Sequence, residues 1–243
     1  GASVALTIEG RTVVDLWGGR RARDGAAWER DTVATVFSAT KGAMALCAHI
    51  LADRGLLDLD AKIADYWPEF ACGGKEDARV GMTLDHSVGV PHVREPVPPA
   101  GFYDYAAMVK RVAAEPAFWV PGSRLGYHAI TMAWTVGELI HRAGNKRLGR
   151  FFQDEVAGPL GLEFWIGMPA ALHGKVSPMI AAVPDQAWME SRFVQAALGA
   201  AGTPTQLFMR DFLLVDANSP ACHAAEIGSA NGLANARALA GMY

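Results

Sequence analysis

The most constraining feature of the sequence is a strongly apolar stretch that begins directly after a lysine. Residues 42–54 carry small and aliphatic side chains with few charges and are followed by Gly55, which predicts a helix with a glycine stop. Apolar side chains occupy every face of this predicted helix. A helix of that kind is normally buried at the centre of a domain. We therefore expect the fold to be built around residues 42–54, with Lys41 at the start of the helix.

Ser38 precedes Lys41 by three residues, a spacing that places both side chains on one face of a helix. Burial disfavours the charged form of a lysine and lowers its pKa, which lets the amine accept a proton from a serine hydroxyl. The pair therefore predicts a buried, nucleophilic Ser38 beside a desolvated Lys41. The alternative is a helix-capping serine followed by a solvated lysine, and the pair alone leaves both interpretations open.

Tyr127 is the next candidate, within the segment Gly-Tyr-His-Ala at residues 126–129, between a Pro-Gly turn and a predicted helix. A phenol held near Lys41 can relay a proton to the leaving group of an acyl-enzyme. The alternative is a tyrosine that packs in the core. Trp119 is a further candidate, because loops over a nucleophile usually shape the substrate pocket.

Composition and motif content exclude several classes of function. The 22 Lys and Arg residues nearly balance the 25 Asp and Glu residues, which argues against nucleic-acid binding. No apolar run approaches the roughly 18 residues of a membrane span. The motifs G-x-S-x-G, H-E-x-x-H, the Walker loop and G-x-G-x-x-G are absent. These observations disfavour α/β-hydrolases, zincins, P-loop enzymes and Rossmann dehydrogenases.

The cysteine and histidine patterns predict neither a metal nor a cofactor. The widely spaced cysteines suggest no disulfide framework or zinc cluster, and the histidines show no ligand spacing: Cys47, Cys72 and Cys222; His86, His92, His128 and His141. A reduced, cytoplasmic compartment is the simpler interpretation. A signal peptide that has been removed is the alternative. The sequence gives no indication of the oligomeric state.

The remaining pattern predicts strands at the front and helices behind them. Residues 3–8 and 12–17 predict a β-hairpin. Helices are predicted over 131–142 with Gly144 as the stop, over 148–156 ending before Pro159, and over 234–242. Residues 172–220 are predicted to be irregular, with Trp188 and Phe193 as packing anchors. We expect an α/β region at 1–60, a mainly helical region at 61–227 and a return to the α/β region at 228–243.

A series of segments, taken in order, resembles the serine β-lactamase-related hydrolases, a group that includes class C β-lactamases, D-Ala-D-Ala carboxypeptidases and esterases. The segments are Phe-Ser-Ala-Thr-Lys-Gly at 37–42, then 51–60, 64–70, 83–91, 126–129, 137–140 and 159–162. The resemblance implies a β-lactamase/transpeptidase-like α/β (α+β) fold, an antiparallel sheet flanked by helices with a mainly helical insertion. It also implies Ser38 as nucleophile, Lys41 as proton acceptor and Tyr127 as catalytic tyrosine.

Ala129 departs from the lactamase branch of this group, whose tyrosine motif reads Tyr-x-Asn. The change removes an amide that would bind a substrate amide carbonyl. The Tyr-His-Ala form is similar to the esterase branch, so we expect a carboxylesterase that acts on a small-molecule ester through an acyl-enzyme. Trp119, His128 and Ala129 are the expected substrate-binding residues. A β-lactamase or D-amino-acid amidase or peptidase, with an amide substrate, is the alternative.

A second departure is the absence of the third motif of this group, a Lys-Thr-Gly or His-x-Gly segment on a strand beside the nucleophile. His173-Gly174 lacks a strand context, and Ser229-Ala230-Asn231 resembles Ser-Asp-Asn only superficially. We therefore expect the chain to continue beyond Tyr243 with further strands and a closing helix. The missing motif also motivates an alternative from another class, a non-catalytic binding or assembly protein of the same fold.

Overall fold

Two small antiparallel sheets and a larger set of helices make up the described part of the chain. The computed structural model describes residues 1–23, 25–98, 100–199, 202–212 and 214–243. The strands are β1 (Ala2–Ile8), β2 (Arg11–Gly18), β3 (Ala34–Thr35), β4 (Phe164–Trp165) and β5 (Leu233–Ala234). Strands β1 and β2 form the predicted hairpin, and β5 lies between β3 and β4 in the second sheet.

In the described part of the chain, all α-helices begin after residue 39. They are α1 (Thr40–Asp53), α2 (Ile63–Tyr66), α3 (Gly81–Leu84), α4 (Tyr105–Ala114), α5 (Met132–Gly144), α6 (Leu148–Phe152), α7 (Gly158–Leu160), α8 (Gln186–Met189), α9 (Arg192–Ala197), α10 (Pro204–Phe212), α11 (Pro220–Ala224) and α12 (Ala236–Met242). Shorter 3-10 turns lie at Phe37–Ala39, Pro68–Phe70, Gly101–Tyr103 and Ala170–Lys175, and a π-helical turn lies at Gln153–Ala157.

Helix α1 lies in the hydrophobic core, as its apolar sequence predicts. Ala43, Met44, Cys47 and Leu51 have no exposed surface, and α5 packs against the helix. The helix ends where Gly55 adopts a φ of +69°, a left-handed conformation that favours glycine. Burial of this helix fixes the position of its first turn, which carries Lys41.

Thr40 anchors the start of α1 to the second sheet. Its Oγ1 donates to the Phe37 carbonyl at 2.5 Å and accepts the Gly232 N–H at 2.9 Å. Gly232 directly precedes β5, which pairs with β3. A threonine between the two functional candidates Ser38 and Lys41 thus connects the first turn of α1 to the sheet.

The hairpin is joined to the C-terminal helix by an arginine. Arg237 of α12 contacts Asp15 of β2 at 3.2 Å and Asp31 at 2.5 Å, and α12 packs against β1. Val4 and Leu16, which lie opposite each other in the hairpin, are exposed. The ion pairs therefore connect the two ends of the chain.

Two predicted helix ends are wrong, each for a local reason. Helix α5 includes Gly144 because Asn145, and not Gly144, takes the left-handed conformation, with a φ of +52°. Gly144 is instead in close packing, since a Cβ there would lie 3.2 Å from the Phe151 ring. Helical structure also continues through Pro159. The π-helical turn Gln153–Ala157 widens the backbone, and Pro159 then lies in the first turn of α7, where a missing N–H costs no bond.

The segment 172–220 contains more helix than predicted, although Ala200, Ala201 and Leu213 lie outside the described residues. Helices α8, α9 and α10 fall within it. Trp188 and Phe193 are not buried anchors, since 44% and 48% of their surface is exposed. Phe193 instead stacks edge-on against Phe208 of α10, with ring centroids 5.9 Å apart. The prediction is wrong because these short helices pack mainly on each other at the surface.

Candidate active site

Ser38, Lys41 and Tyr127 converge at the start of α1. The Tyr127 hydroxyl donates to Ser38 Oγ at 2.7 Å, and Lys41 Nζ lies 3.3 Å from the same oxygen. Lys41 Nζ also lies 4.8 Å from the centroid of the Tyr127 ring. The packing of α1 against α5 brings these groups together, because Tyr127 belongs to the loop that leads into α5.

Burial differs sharply between the members of this trio. Lys41 is buried and donates to the Ala129 carbonyl at 2.9 Å and to the Ser229 carbonyl at 2.8 Å. Burial lowers the pKa of Lys41, and the neighbouring Tyr127 opposes that shift. Ser38 is exposed, which corrects the expectation of a buried hydroxyl. The 3-10 turn Phe37–Ala39 holds Ser38 above the helix, so that the amine is desolvated while the hydroxyl faces outward.

Strained backbone precedes the serine. Phe37 has a φ of +43°, an uncommon value for a residue with a bulky side chain. The Phe37 carbonyl accepts a hydrogen bond from the Thr40 hydroxyl at 2.5 Å. Strain of this kind persists only where surrounding contacts impose it, and it is concentrated at functional sites.

The Trp119 ring leaves no space for a side chain at Gly126, the residue before Tyr127. A Cβ on Gly126 would lie 2.4 Å from Cη2 of Trp119. The Trp119 indole donates to the Ser87 carbonyl at 3.1 Å, which holds the ring in place. Trp119 and Tyr127 also line a common surface recess. The structure thus places Trp119 beside the tyrosine but outside the lining of the cavity at Ser38, and its contact with substrate stays a prediction.

Ala129 and His128 occupy different environments. The Ala129 side chain borders the cavity at Ser38, while its carbonyl binds Lys41. His128 is 1% exposed, its Nε2 accepts the Val90 N–H at 3.0 Å and its Nδ1 donates to the Gly126 carbonyl at 2.6 Å. Burial lowers the pKa of His128 to about 4. Because backbone groups occupy both ring nitrogens, His128 supports the loop from beneath, which corrects the expectation that it contacts substrate.

Sequence reasoning missed two residues of the site. Ser229 is fully buried, and its carbonyl holds Lys41 while its Oγ donates to the Ile130 carbonyl at 2.9 Å. His86 packs against Tyr127 with ring centroids 4.8 Å apart. The available signal was weak: Ser229 lies in a segment that resembles Ser-Asp-Asn only superficially, and His86 lies in one of the matching segments without a motif of its own.

A cavity of about 330 Å³ opens on Ser38. Its lining is predominantly apolar and comes from several elements, including Phe37, Tyr127, Phe208, Val215, Ile227 and Ala230. Pockets with apolar walls and few polar groups suit small organic ligands. Phe208 also borders a second cavity of about 410 Å³ that reaches Tyr127 and Ala129. Tyr127 therefore borders both cavities, whereas Ser38 borders only the first.

Other features of the described residues bear on ligands and membranes. Within the ranges that the structure describes, no group of three or more His, Cys, Asp or Glu side chains is arranged to hold a metal ion. No helix among the described residues has the length and apolar character needed to cross a membrane. Cys47, Cys72 and Cys222 are free thiols.

Comparison with protein families matches residues 1–243 to the family described as Beta-lactamase. The chain belongs to this beta-lactamase family. The match covers the serine, the lysine and the tyrosine described above. It confirms the resemblance that the sequence segments carry and the β-lactamase/transpeptidase-like fold that the resemblance implies.

Several relatives of this beta-lactamase family member are known. "Esterase/beta-lactamase LipL" of Mycobacterium tuberculosis is 35% identical over 254 residues, which cover 100% of this chain and 57% of LipL. A crystal structure of a family VIII carboxylesterase is 37% identical with a TM-score of 0.80, and the match covers 97% of this chain and 61% of that one. The chain thus spans less than two thirds of the length of these relatives.

Two further solved structures are similar. A penicillin-binding protein homologue from Caulobacter crescentus is 32% identical, with a TM-score of 0.80 and coverage of 96% of this chain and 60% of that chain. EstA from Arthrobacter nitroguajacolicus is 30% identical, with a TM-score of 0.78 and coverage of 99% and 62%. Both carry the fold of this beta-lactamase family member over nearly its whole length.

Proposed function

We propose that the protein hydrolyses carboxylic esters through an acyl-enzyme formed on Ser38. The observation that carries this proposal is that Ser38 Oγ lies within hydrogen-bonding reach of both the Tyr127 hydroxyl and the buried Lys41 amine. A nucleophile with a base in contact and a second polar group beside it is the arrangement that covalent catalysis requires. The cavity at Ser38 gives an acyl group a place to bind.

The partners of Lys41 orient its lone pair. A neutral amine has two N–H groups, and the carbonyls of Ala129 and Ser229 accept them. The lone pair is then left for the Ser38 hydroxyl proton. Once that proton has moved, the same two carbonyls and Ser38 Oγ satisfy the three N–H groups of the ammonium. The site thus accommodates both protonation states of Lys41 without rearrangement.

Tyr127 completes the proton path. Its hydroxyl touches Ser38 Oγ and is itself open to solvent, so it can pass a proton to the departing alkoxide. Ser38 attacks the ester carbonyl, the C–O bond to the alcohol breaks, and the alcohol leaves protonated. Water then attacks the acyl carbonyl and gives a proton to the Lys41–Tyr127 pair, the bond from the acyl carbon to Ser38 Oγ breaks, and the acid leaves as Ser38 recovers its proton. Lys41 and Tyr127 act as a coupled pair, and the Ser38 N–H is one donor to the oxyanion.

The shape and chemistry of the site support an ester with an apolar acyl group. The cavity at Ser38 is predominantly apolar, and position 129 carries a methyl group instead of the amide found in the lactamase branch. The similar family VIII carboxylesterase and the esterase named in LipL support the same substrate class. A small-molecule ester without charge on its acyl chain is therefore the proposed substrate.

The test is hydrolysis of p-nitrophenyl butyrate by the intact protein, together with mass spectrometry after incubation with a fluorophosphonate. We expect turnover and a single adduct on Ser38, and we expect Ser38→Ala to abolish both. Ser3→Ala, a serine of the β1 strand, is the matched control and should retain both. A folded protein that hydrolyses no ester and carries no adduct on Ser38 would overturn the proposal and favour a binding role for the fold.

A second candidate function is hydrolysis of β-lactams or D-amino-acid amides. It is favoured by the similarity to LipL, whose name includes beta-lactamase, and to the penicillin-binding protein homologue. Turnover of nitrocefin at a rate comparable with that of p-nitrophenyl butyrate would support it. We expect the ester to react much faster, because Ala129 cannot supply an amide to the substrate.

A further inference from the structure

We infer that His86 is a positioning residue that fixes the loop carrying Tyr127, an inference that rests on the proposed function of that tyrosine. The His86 carbonyl accepts the Gly126 N–H at 3.1 Å, and its Nδ1 accepts the His128 N–H at 3.2 Å. These two donors flank Tyr127 in the chain. The His86 ring packs on the Tyr127 ring with centroids 4.8 Å apart. One residue thus holds the tyrosine loop at three points.

The backbone of His86 is held in an unfavourable conformation. Its φ is +68°, in the left-handed region that residues other than glycine rarely adopt. In this conformation both the carbonyl and the ring reach the same neighbouring loop. A strained residue that contacts a functional loop on two sides is consistent with a positioning role, because such strain persists only where surrounding contacts impose it.

The hydrogen bond to His128 requires a neutral imidazole at position 86. Nδ1 accepts there, so the ring proton lies on Nε2. Protonation of His86 Nδ1 would place its N–H opposite the His128 N–H, and two donors cannot form a hydrogen bond with each other. The groups facing the ring are Lys41, Asp85, Tyr127 and His128. Burial and the charge of Lys41 lower the pKa of His86, while Asp85 opposes that shift.

Two substitutions of His86 distinguish the effect of its side-chain hydrogen-bond acceptor from the effect of its strained backbone. His86→Asn places a carbonyl oxygen near the position of Nδ1, tolerates the left-handed conformation and does not ionise. His86→Gly accepts the same φ without strain but has no side-chain acceptor. Both variants retain the backbone carbonyl that binds Gly126. The difference between them therefore measures the contact to the His128 N–H.

Amide hydrogen exchange in the intact protein tests the contact directly. We expect His86→Gly to accelerate exchange at the His128 amide by about tenfold or more relative to the Gly126 amide, and His86→Asn to restore protection. Amides of α1 report that each variant is folded. Unchanged exchange at His128 in a folded His86→Gly variant would overturn the inference, whether or not the protein hydrolyses esters.

Kinetics test the consequence for catalysis. We expect His86→Gly to lower kcat for p-nitrophenyl butyrate by about thirtyfold with little change in KM, since displacement of a catalytic group by about 1 Å has effects of this size. His86→Asn should recover most of that loss. Protonation of His86 should add to the loss that protonation of Lys41 causes, so the acid slope of log kcat/KM should be steeper in the wild type than in His86→Asn over the interval in which His86 titrates.

His49→Gln is the matched control, because His49 is an exposed histidine of α1 outside the site. It should retain the wild-type kcat and acid slope. The inference would be overturned if His86→Gly and His86→Asn each showed the wild-type kcat and the wild-type acid slope. Failure of the proposed function is distinguishable, because it would remove ester turnover from the wild type while leaving the exchange difference at His128 intact.

Discussion

The Ser229 carbonyl accepts a hydrogen bond from Lys41 Nζ at 2.8 Å across a separation of 188 residues. The hydroxyl of the same serine binds the carbonyl of Ile130, next to the other carbonyl that holds Lys41. Ser229 therefore connects the loop before β5 to the loop that carries the tyrosine. Lys41 lies between these two loops, and its orientation depends on both.

Ser229→Ala is expected to lower both stability and turnover. Loss of a buried hydrogen bond to the Ile130 carbonyl should reduce the free energy of unfolding by about 1 kcal/mol. The loosened Ser229 carbonyl should lower kcat by about threefold to tenfold. Urea denaturation and ester hydrolysis measure the two effects.

Ser177→Ala is the matched control for this prediction. Ser177 is also buried, and its hydroxyl donates to the Arg21 carbonyl at 3.0 Å, outside the site. A similar loss of stability with an unchanged kcat is expected. If the two variants lower kcat equally, the link between Ser229 and Lys41 has no catalytic effect.

Lys41→Met should reduce acylation of Ser38 by about a thousandfold or more, because the proton acceptor is removed. Lys75→Met is a closely matched control. Lys75 is also buried and donates to two backbone carbonyls, those of Cys72 and Glu115. Both variants remove a buried amine that donates to two backbone carbonyls, and only Lys41→Met should lose acylation. Stopped-flow measurement of fluorophosphonate labelling gives the two rates.

The pH dependence of acylation follows from the same lysine. Burial lowers the pKa of Lys41 below its ordinary value of 10.5, so the neutral amine is present at lower pH than for a solvated lysine. Acylation should therefore rise with pH as Lys41 loses its proton, with a midpoint below 10.5. A midpoint at or above that value would contradict the role of burial.

The start of α1 could be predicted from the sequence because its signals are local. The apolar stretch and the spacing of Ser38 and Lys41 predict one buried helix carrying both groups, and Gly55 ends it. The β1–β2 hairpin could be predicted for the same reason, because its two strands are adjacent in the sequence. The exposure of Ser38 could not be predicted, because it depends on a 3-10 turn that begins at a positive φ of Phe37.

The supports of the site were not predictable for a different reason. Ser229 acts through its backbone carbonyl, which every residue possesses, so its side chain type carries no signal of the contact with Lys41. For His128, the position in the sequence suggested a role that the structure does not support. Its position beside Tyr127 suggested contact with substrate, whereas the structure turns its ring toward the Val90 and Gly126 backbone. Such assignments depend on tertiary packing.

Phe208 is expected to determine the length of the acyl chain. It borders both the cavity of about 330 Å³ at Ser38 and the cavity of about 410 Å³ beside Tyr127. Phe208→Ala should join the two spaces and admit longer chains. Each buried CH₂ contributes about 0.8 kcal/mol, so two more buried methylenes should raise the ratio of kcat/KM for decanoate over butyrate esters by about fifteenfold.

Phe193→Ala serves as the control for Phe208. Phe193 borders the second cavity but not the cavity at Ser38. It should therefore alter the preference for the alcohol part of the ester and leave the decanoate-to-butyrate ratio unchanged. Equal ratios in the Phe208→Ala variant and the wild type would contradict the dividing role of Phe208.

His128 should make the stability of the fold depend on pH. Burial lowers the pKa of His128 from 6.5 to about 4, so the unfolded chain binds more protons in that interval. The contribution is complete above pH 6.5 and is lost as the pH falls toward 4, for a total of about 3 kcal/mol. Urea denaturation across this interval should show that loss in the wild type and a flatter dependence in His128→Gln. His49→Gln alters an exposed histidine, so its free energy of unfolding should depend on pH as that of the wild type does. If His128→Gln showed the same pH dependence as these two proteins, the loss of stability would belong to other titratable groups.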